Sequence, residues 1–162
     1  VALMNHGVPM KSWILFPLQG RLFLASAEKG AMVIDEGGDH QRLEIASRDW
    51  CLDELSGSAN IGAVSEPRRT EVRQKLRTLP GLWYPKCAGF LGSEIAAGRQ
   101  QFLLHSRCTP WDHAPVDLLC REAGGHSAML NDGGAFNGSY AAPLMITPDR
   151  ASWQALYDRV WA

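Results

Sequence analysis

The chain has 162 residues, of which 46% are hydrophobic and 20% charged, and its 16 Lys and Arg stand against 17 Asp and Glu for a net charge of −1. A chain of this length buries about 70% of the surface that its unfolded form exposes, so one sizeable core forms without metal or disulfide staples. The even charge excludes a globally basic footprint of the kind nucleic-acid or anionic-membrane binding needs, and no apolar run approaches the roughly 20 residues of a bilayer span.

The chain opens on Val1-Ala2-Leu3-Met4, without initiator Met or polar lead-in, as though already inside a strand. Turn formers at His6-Gly7-Val8-Pro9, Gln19-Gly20 and Lys29-Gly30 separate short apolar stretches at 12–18, 21–27 and 31–35, which predicts an antiparallel meander. A polar turn follows at 35–39, then a further short strand at 42–46. The pattern loosens over 56–60. Ser65-Glu66-Pro67 marks a helix start, and Val72 and Leu76, four apart on a charged segment, predict a helix lying on the surface.

From there helices and strands alternate, the pattern of an α/β layer arrangement. Residues 88–97 are small and apolar enough for a buried helix, closed by Gly98. Residues 101–105 form a strand around Phe102, Leu103 and Leu104. Thr109-Pro110 opens a helix that runs through Leu118, Leu119 and Ala123 to a stop at Gly124-Gly125. Strands are expected at 126–131 and 143–147, on either side of the Asp132-Gly133-Gly134 turn. Thr147-Pro148 reads as cap and first-turn proline of a last helix, whose Trp153, Leu156, Tyr157, Val160 and Trp161 make a core stripe. The expected organisation is a single region, with a meander and connector over 1–64 and an α/β part over 65–162.

Four cysteines, Cys51, Cys87, Cys108 and Cys120, show no C-x-x-C or zinc spacing. They read as free thiols of a soluble, unprocessed cytoplasmic protein. Ser58, Ser93 and Ser127 lack the G-x-S-x-G elbow of a serine hydrolase. Gly37-Gly38 and Gly124-Gly125 are not phosphate loops, and Asp132-Gly133-Gly134 is not a calcium loop.

The informative segment runs from Pro110-Trp111-Asp112-His113-Ala114 to Glu122-Ala123-Gly124-Gly125. It has a carboxylate in the first turn of a helix, an apolar stretch, and a Glu-Ala-Gly-Gly end. By spacing alone, Thr109-x-x-Asp112 is a capping box, in which Asp112 accepts the Thr109 N–H and contributes about 1 kcal/mol. Adjacent helical positions point in different directions, so His113 is expected on the surface or facing a partner. Arg121 and Glu122 are expected in surface ion pairs or bonds to local backbone.

The same segment resembles the W-D-x-A…E-A-G-G signature of the inositol monophosphatase family of Mg²⁺-dependent, lithium-sensitive phosphatases. Lys86-Cys87-Ala88-Gly89 through Ala96-Ala97-Gly98-Arg99 is similar to the family's small-residue helix and following strand. Gln19-Gly20-Arg21-Leu22-Phe23 through Glu28-Lys29-Gly30-Ala31 is similar to its hairpin. The resemblance implies an α-β-α-β-α sandwich that hydrolyses phosphate monoesters with two or three Mg²⁺ ions and acts on a small phosphorylated substrate, and a homodimer is expected from the apolar surface left exposed where N-terminal helices would pack. It implies that Asp112 is a metal ligand and that Cys87 and Ala88 lie near the substrate's ring. The chemistry is coherent, because Mg²⁺ prefers hard oxygens, paired ions activate water and neutralise a leaving alkoxide, and a helix start keeps Asp112 ionised.

The family's D-P-x-D-G-T loop and its Gly-Glu motif supply most of the metal ligands, and neither occurs in these 162 residues. The chain matches about the C-terminal three-fifths of the pattern, a sandwich incomplete at its N-terminus, and is expected to be a poor catalyst alone. His105, seven positions before Asp112, stands where many members place a glutamate that contacts an inositol hydroxyl. An imidazole cannot accept two hydroxyl hydrogen bonds as a carboxylate does. That puts 3'-phosphonucleotides and histidinol phosphate beside inositol phosphates as substrates, with His105 as a substrate-binding position. Val116 replaces a frequent Gly, and Pro115 is expected to kink the helix. The rival expectation is a non-catalytic domain of the same fold acting in binding or dimer assembly.

Overall fold

The computed structural model describes residues 1–46, 49–83 and 87–162. Five strands come first, β1 (Ala2–Asn5), β2 (Val8–Phe16), β3 (Arg21–Ser26), β4 (Gly30–Ile34) and β5 (His40–Leu43), paired antiparallel in chain order. The turns do what their residues dictate. His6 and Gly7 hold positive φ, so the β1–β2 hairpin closes over two residues and Val8 already belongs to β2. Gly20 at φ 59 ends a single 3₁₀ turn, Pro17–Gln19, that carries Leu18 out of the predicted strand. The inner face presents Phe23, Ala25, Ala31, Val33 and Leu43 to the core. The outer face exposes Leu3, Trp13, Leu15 and Met32, so the sheet is apolar on both sides.

The remaining elements are β6 (Ser56–Asn60), α1 (Arg68–Leu76), β7 (Gly81–Trp83), α2 (Ala88–Ala96), β8 (Phe102–His105), α3 (Pro110–Glu122), β9 (His126–Met129), β10 (Leu144–Thr147) and α4 (Arg150–Leu156). The last helix runs on into a wider π-type turn, Tyr157–Trp161. The second sheet has the order β7-β6-β8-β10-β9, with β6 parallel to β7 and β8, and β10 antiparallel to β8 and β9. Its strands alternate between two cores. Leu103, Met129, Leu144 and Ile146 face α2, α3 and the first sheet. Phe102, Leu104, Ala128 and Met145 face Val72 and Leu76 of α1 together with Trp153, Leu156 and Val160. The described layers are therefore β-α-β-α, four of the five in the expected sandwich.

Two expectations change. Residues 56–60, where the apolar pattern loosens, form β6 in the middle of the second sheet. Gly57 is small by necessity, since a Cβ there would lie 2.1 Å from the Phe102 carbonyl oxygen. The last helix is capped by Asp149, whose carboxylate accepts the Ser152 N–H at 2.7 Å. Thr147 belongs to β10, and its hydroxyl donates to the Asp149 carbonyl. The residue three positions before a free helical N–H wins the cap, and Thr147 is too far upstream. No helix among the described residues is long and apolar enough to cross a membrane.

Candidate active site

Strands β6 and β8 run parallel and end side by side at Asn60 and His105. Just beyond them the chain is knotted together. The Ser106 N–H donates to the Asn60 carbonyl at 2.8 Å, and the Ala63 N–H to the Ser106 hydroxyl at 3.1 Å. Helices α2 and α3 begin at this edge. A cleft of about 570 Å³ opens there, lined by Asn60 and Ala63 from the β6 exit, Cys87, Ala88 and Gly89 from the α2 start, His105, Ser106 and Arg107 from the β8 exit, and Thr109, Asp112 and His113 from the α3 start. All four residues singled out in the sequence, Cys87, Ala88, His105 and Asp112, lie on this one cleft. Lys86 lies outside the described residues.

The polarity of the cleft follows from its elements. Two helix amino ends bring partial positive charge and N–H donors without a side-chain cap. Exposed Arg107 adds a full positive charge. Asp112 is the carboxylate on the cleft wall, exposed in the first turn of α3. Its Oδ2 accepts the Thr109 hydroxyl at 2.7 Å. The capping-box bond does not form, because the Thr109 N–H donates to His113 Nδ1 at 3.1 Å. Asp112 is therefore left facing solvent instead of closing the helix.

His113 corrects the sequence reading most sharply. It is 3% exposed, turned beneath Asp112 toward β8. Its Nε2 shares a hydrogen bond with His105 Nδ1, and the two rings meet edge to face with centroids 4.6 Å apart. Neighbouring helical positions do diverge, and here it is Asp112 that takes the outward direction. Burial, then the neighbouring His113, pushes His105 down to about 4 against the opposing pull of Asp112. Burial also lowers His113, while the contact of its Nδ1 with the Thr109 carbonyl oxygen at 3.0 Å pulls the other way. Both rings are neutral near pH 7. His105 reaches the cleft as an uncharged imidazole with one nitrogen committed to His113.

The far end of α3 holds a second correction. Glu122 accepts the Glu28 and Gly30 N–H groups at 2.9 and 2.8 Å, clamping the distant β3–β4 turn and not its own neighbourhood. Arg121 does pair within its helix, with buried Asp117 at 3.0 Å. The helix runs unbroken through Pro115. Val116 takes the space that Gly92 leaves, where a Cβ on Gly92 would come within 2.3 Å of it. Asn60, Ser106 and Arg107 were missed by sequence reasoning, and Thr109 was read only as a helix start and cap, although it also lines the cleft.

Among the described residues no group of three or more His, Cys, Asp or Glu is arranged to hold a metal ion. One carboxylate does not make a Mg²⁺ site, since the ion gives up water only to several anionic oxygens. The residues present therefore do not by themselves fit the two or three ions that the resemblance implies.

A layered α/β protein with its crevice at the carboxyl ends of parallel strands belongs to a broad class that binds small ligands there. Comparison narrows this. The model of the inositol monophosphatase family matches residues 1–157, and the chain belongs to that family. A histidinol-phosphatase of Mycobacterium tuberculosis is 27% identical over 135 residues, covering 81% of this chain and 50% of that protein. The structure of a staphylococcal IMPase-II superposes with a TM-score of 0.82 at 18% identity, over 98% of this chain and 61% of the other. An inositol monophosphatase from Zymomonas mobilis gives 0.84 at 13%, over 99% and 61%. The chain spans about half the length of the curated relatives it matches.

Proposed function

We propose that the cleft binds a small phosphorylated alcohol and that the protein serves Mg²⁺-dependent phosphomonoester hydrolysis. The observation that carries this reading is the convergence of Cys87, Ala88, His105 and Asp112 on one cleft at two helix amino ends. The N–H groups of those ends and Arg107 suit a phosphate. Asp112 would repel a phosphate unless a cation stood between them, which supports a role for it as one oxygen donor to Mg²⁺. With a single such donor, this chain alone binds the ion weakly and turns over slowly. Cys87 and Ala88 bound the alcohol part. Neutral His105 offers a single ring atom where a carboxylate would grip two hydroxyls, which favours histidinol phosphate or a 3'-phosphonucleotide as much as an inositol phosphate. Free cysteines suit a reducing compartment such as the cytoplasm.

Phosphate release from histidinol phosphate, an inositol monophosphate and a 3'-phosphonucleotide, measured with and without Mg²⁺, tests the reading. Asp112→Asn is expected to remove most of the Mg²⁺-dependent release; an Asn variant as active as the wild type would overturn the role of Asp112. The rival reading is a binding or assembly domain that forms a dimer, favoured by the apolar outer face of the first sheet. Heatless Mg²⁺ titration together with a concentration-dependent dimer in sedimentation would select it.

A further inference from the structure

Beside the cleft stand two large, exposed aromatic side chains. Trp111 is 68% exposed and Tyr140 58% exposed, yet their rings meet, with centroids 6.0 Å apart and planes inclined by 38°. The guanidinium of Arg107, itself on the cleft wall, lies 5.8 Å from the centre of the Tyr140 ring. Among the described residues Arg107 pairs with no carboxylate. Trp111 is the chain neighbour of Asp112, so the aromatic pair begins one residue from the carboxylate of the cleft.

Tyr140 is held in this place by design of its loop. The Ala141 N–H donates to the Cys108 carbonyl at 2.9 Å, and the Cys108 N–H to the Ala142 carbonyl at 2.8 Å, tying the loop to the segment between Arg107 and Thr109. Ala141 adopts φ 67, a left-handed backbone that strains a residue carrying a Cβ. Strain kept next to an exposed ring, where no core packing rewards it, is the kind that collects at ligand sites.

We propose that Trp111, Tyr140 and Arg107 form a stacking subsite for the planar heteroaromatic ring of a phosphorylated substrate, so that the preferred esters are those of ring-bearing alcohols. The subsite rests on the reading of the cleft as a phosphoester site. The outer, exposed faces of the packed pair offer a flat apolar surface on which a ring can stack from the solvent side, and the guanidinium adds a cation–π contact. Base-on-aromatic stacking of this kind is sequence-tolerant and strong enough to dominate a small ligand's affinity.

Calorimetric titration with AMP, histidinol phosphate, glycerol 2-phosphate and inorganic phosphate tests it. The two ring-bearing esters are expected to bind about tenfold more tightly than glycerol 2-phosphate. Trp111→Leu and Tyr140→Leu each remove most of that advantage, while Trp111→Phe and Tyr140→Phe keep it. The order of AMP and histidinol phosphate tells a purine from an imidazole. If ring-bearing and ring-free esters bind alike, the subsite is overturned and the phosphate cleft stands. If inorganic phosphate and glycerol 2-phosphate fail to bind while AMP still responds to Trp111→Leu, the rings bind a base alone, the phosphate reading falls, and the ester preference that rests on it is overturned with it. If no ester binds, both fall. A Trp111→Leu variant that changes sedimentation but not ester affinity assigns the aromatic pair to a contact between copies, which also overturns the subsite.

Discussion

The two sheets are built on opposite principles, and the candidate cleft lies at the edge of the second. The first sheet pairs β1 to β5 in chain order through tight turns, so every connection doubles straight back and neighbouring strands end at opposite edges. The second sheet places β6 between β7 and β8, all parallel, so their carboxyl ends share one edge and the helices that follow must start near it. A common edge collects donors, helix dipoles and side chains from distant parts of the chain. The meander has no such edge. Its inner face supports α3, which in turn carries Asp112 and His113 at one end and grips the meander through Glu122 at the other.

The largest expected effect separates the sheets at their glycines. Gly57→Ala forces a Cβ against the Phe102 backbone in the second sheet and is expected to cost about 3 kcal/mol or more. Gly38→Ala, in a meander turn where a Cβ meets nothing within 4 Å, pays only for its φ of 84, about 1–2 kcal/mol. Urea unfolding of the two variants measures the difference, and equal losses would break the contrast.

The site edge also carries the pH dependence. His105 has a folded-state value of about 4, below its ordinary 6.5, so folding favours the neutral ring. Its contribution is complete above pH 6.5 and is lost as pH falls from there toward 4. The loss is on the order of 2–3 kcal/mol. Urea midpoints followed across that window should fall steeply for the wild type and more gently for His105→Gln. Parallel curves would show that the buried pair does not set acid stability.

The smallest effect tests the link between the sheets. Glu122→Ala removes the acceptor of two backbone N–H groups and is expected to cost about 1–2 kcal/mol, given the partial exposure of the bonds. Hydrogen exchange at Glu28 and Gly30 should speed up while that of β8 does not. Unchanged exchange at both residues would return Glu122 to the surface role its sequence position suggested.

What was legible in the chain was whatever is encoded locally. Turn residues at Gly20 and Gly30 marked the meander, Thr109-Pro110 marked the start of α3, and the Trp111–Gly125 pattern pointed to Asp112, Cys87, Ala88 and His105, which the fold brings to one cleft. β6 was not legible, because a strand pressed between two parallel neighbours needs small residues and Ser-Gly-Ser-Ala-Asn has no alternation to read. The π-type end of α4 left no mark either, though its core stripe did.

The sequence by itself determined where the chain turns, which helix opens with a carboxylate, and which faces are apolar, since these depend on dihedral preference and periodicity within a few residues. Only the tertiary structure decided that His113 turns inward to His105, that Glu122 binds a turn more than ninety positions away, and that Trp111, Tyr140 and Arg107 meet at the cleft. Each of those is a contact between segments remote in the chain, and such a contact is set by how layers stack, which no local preference records.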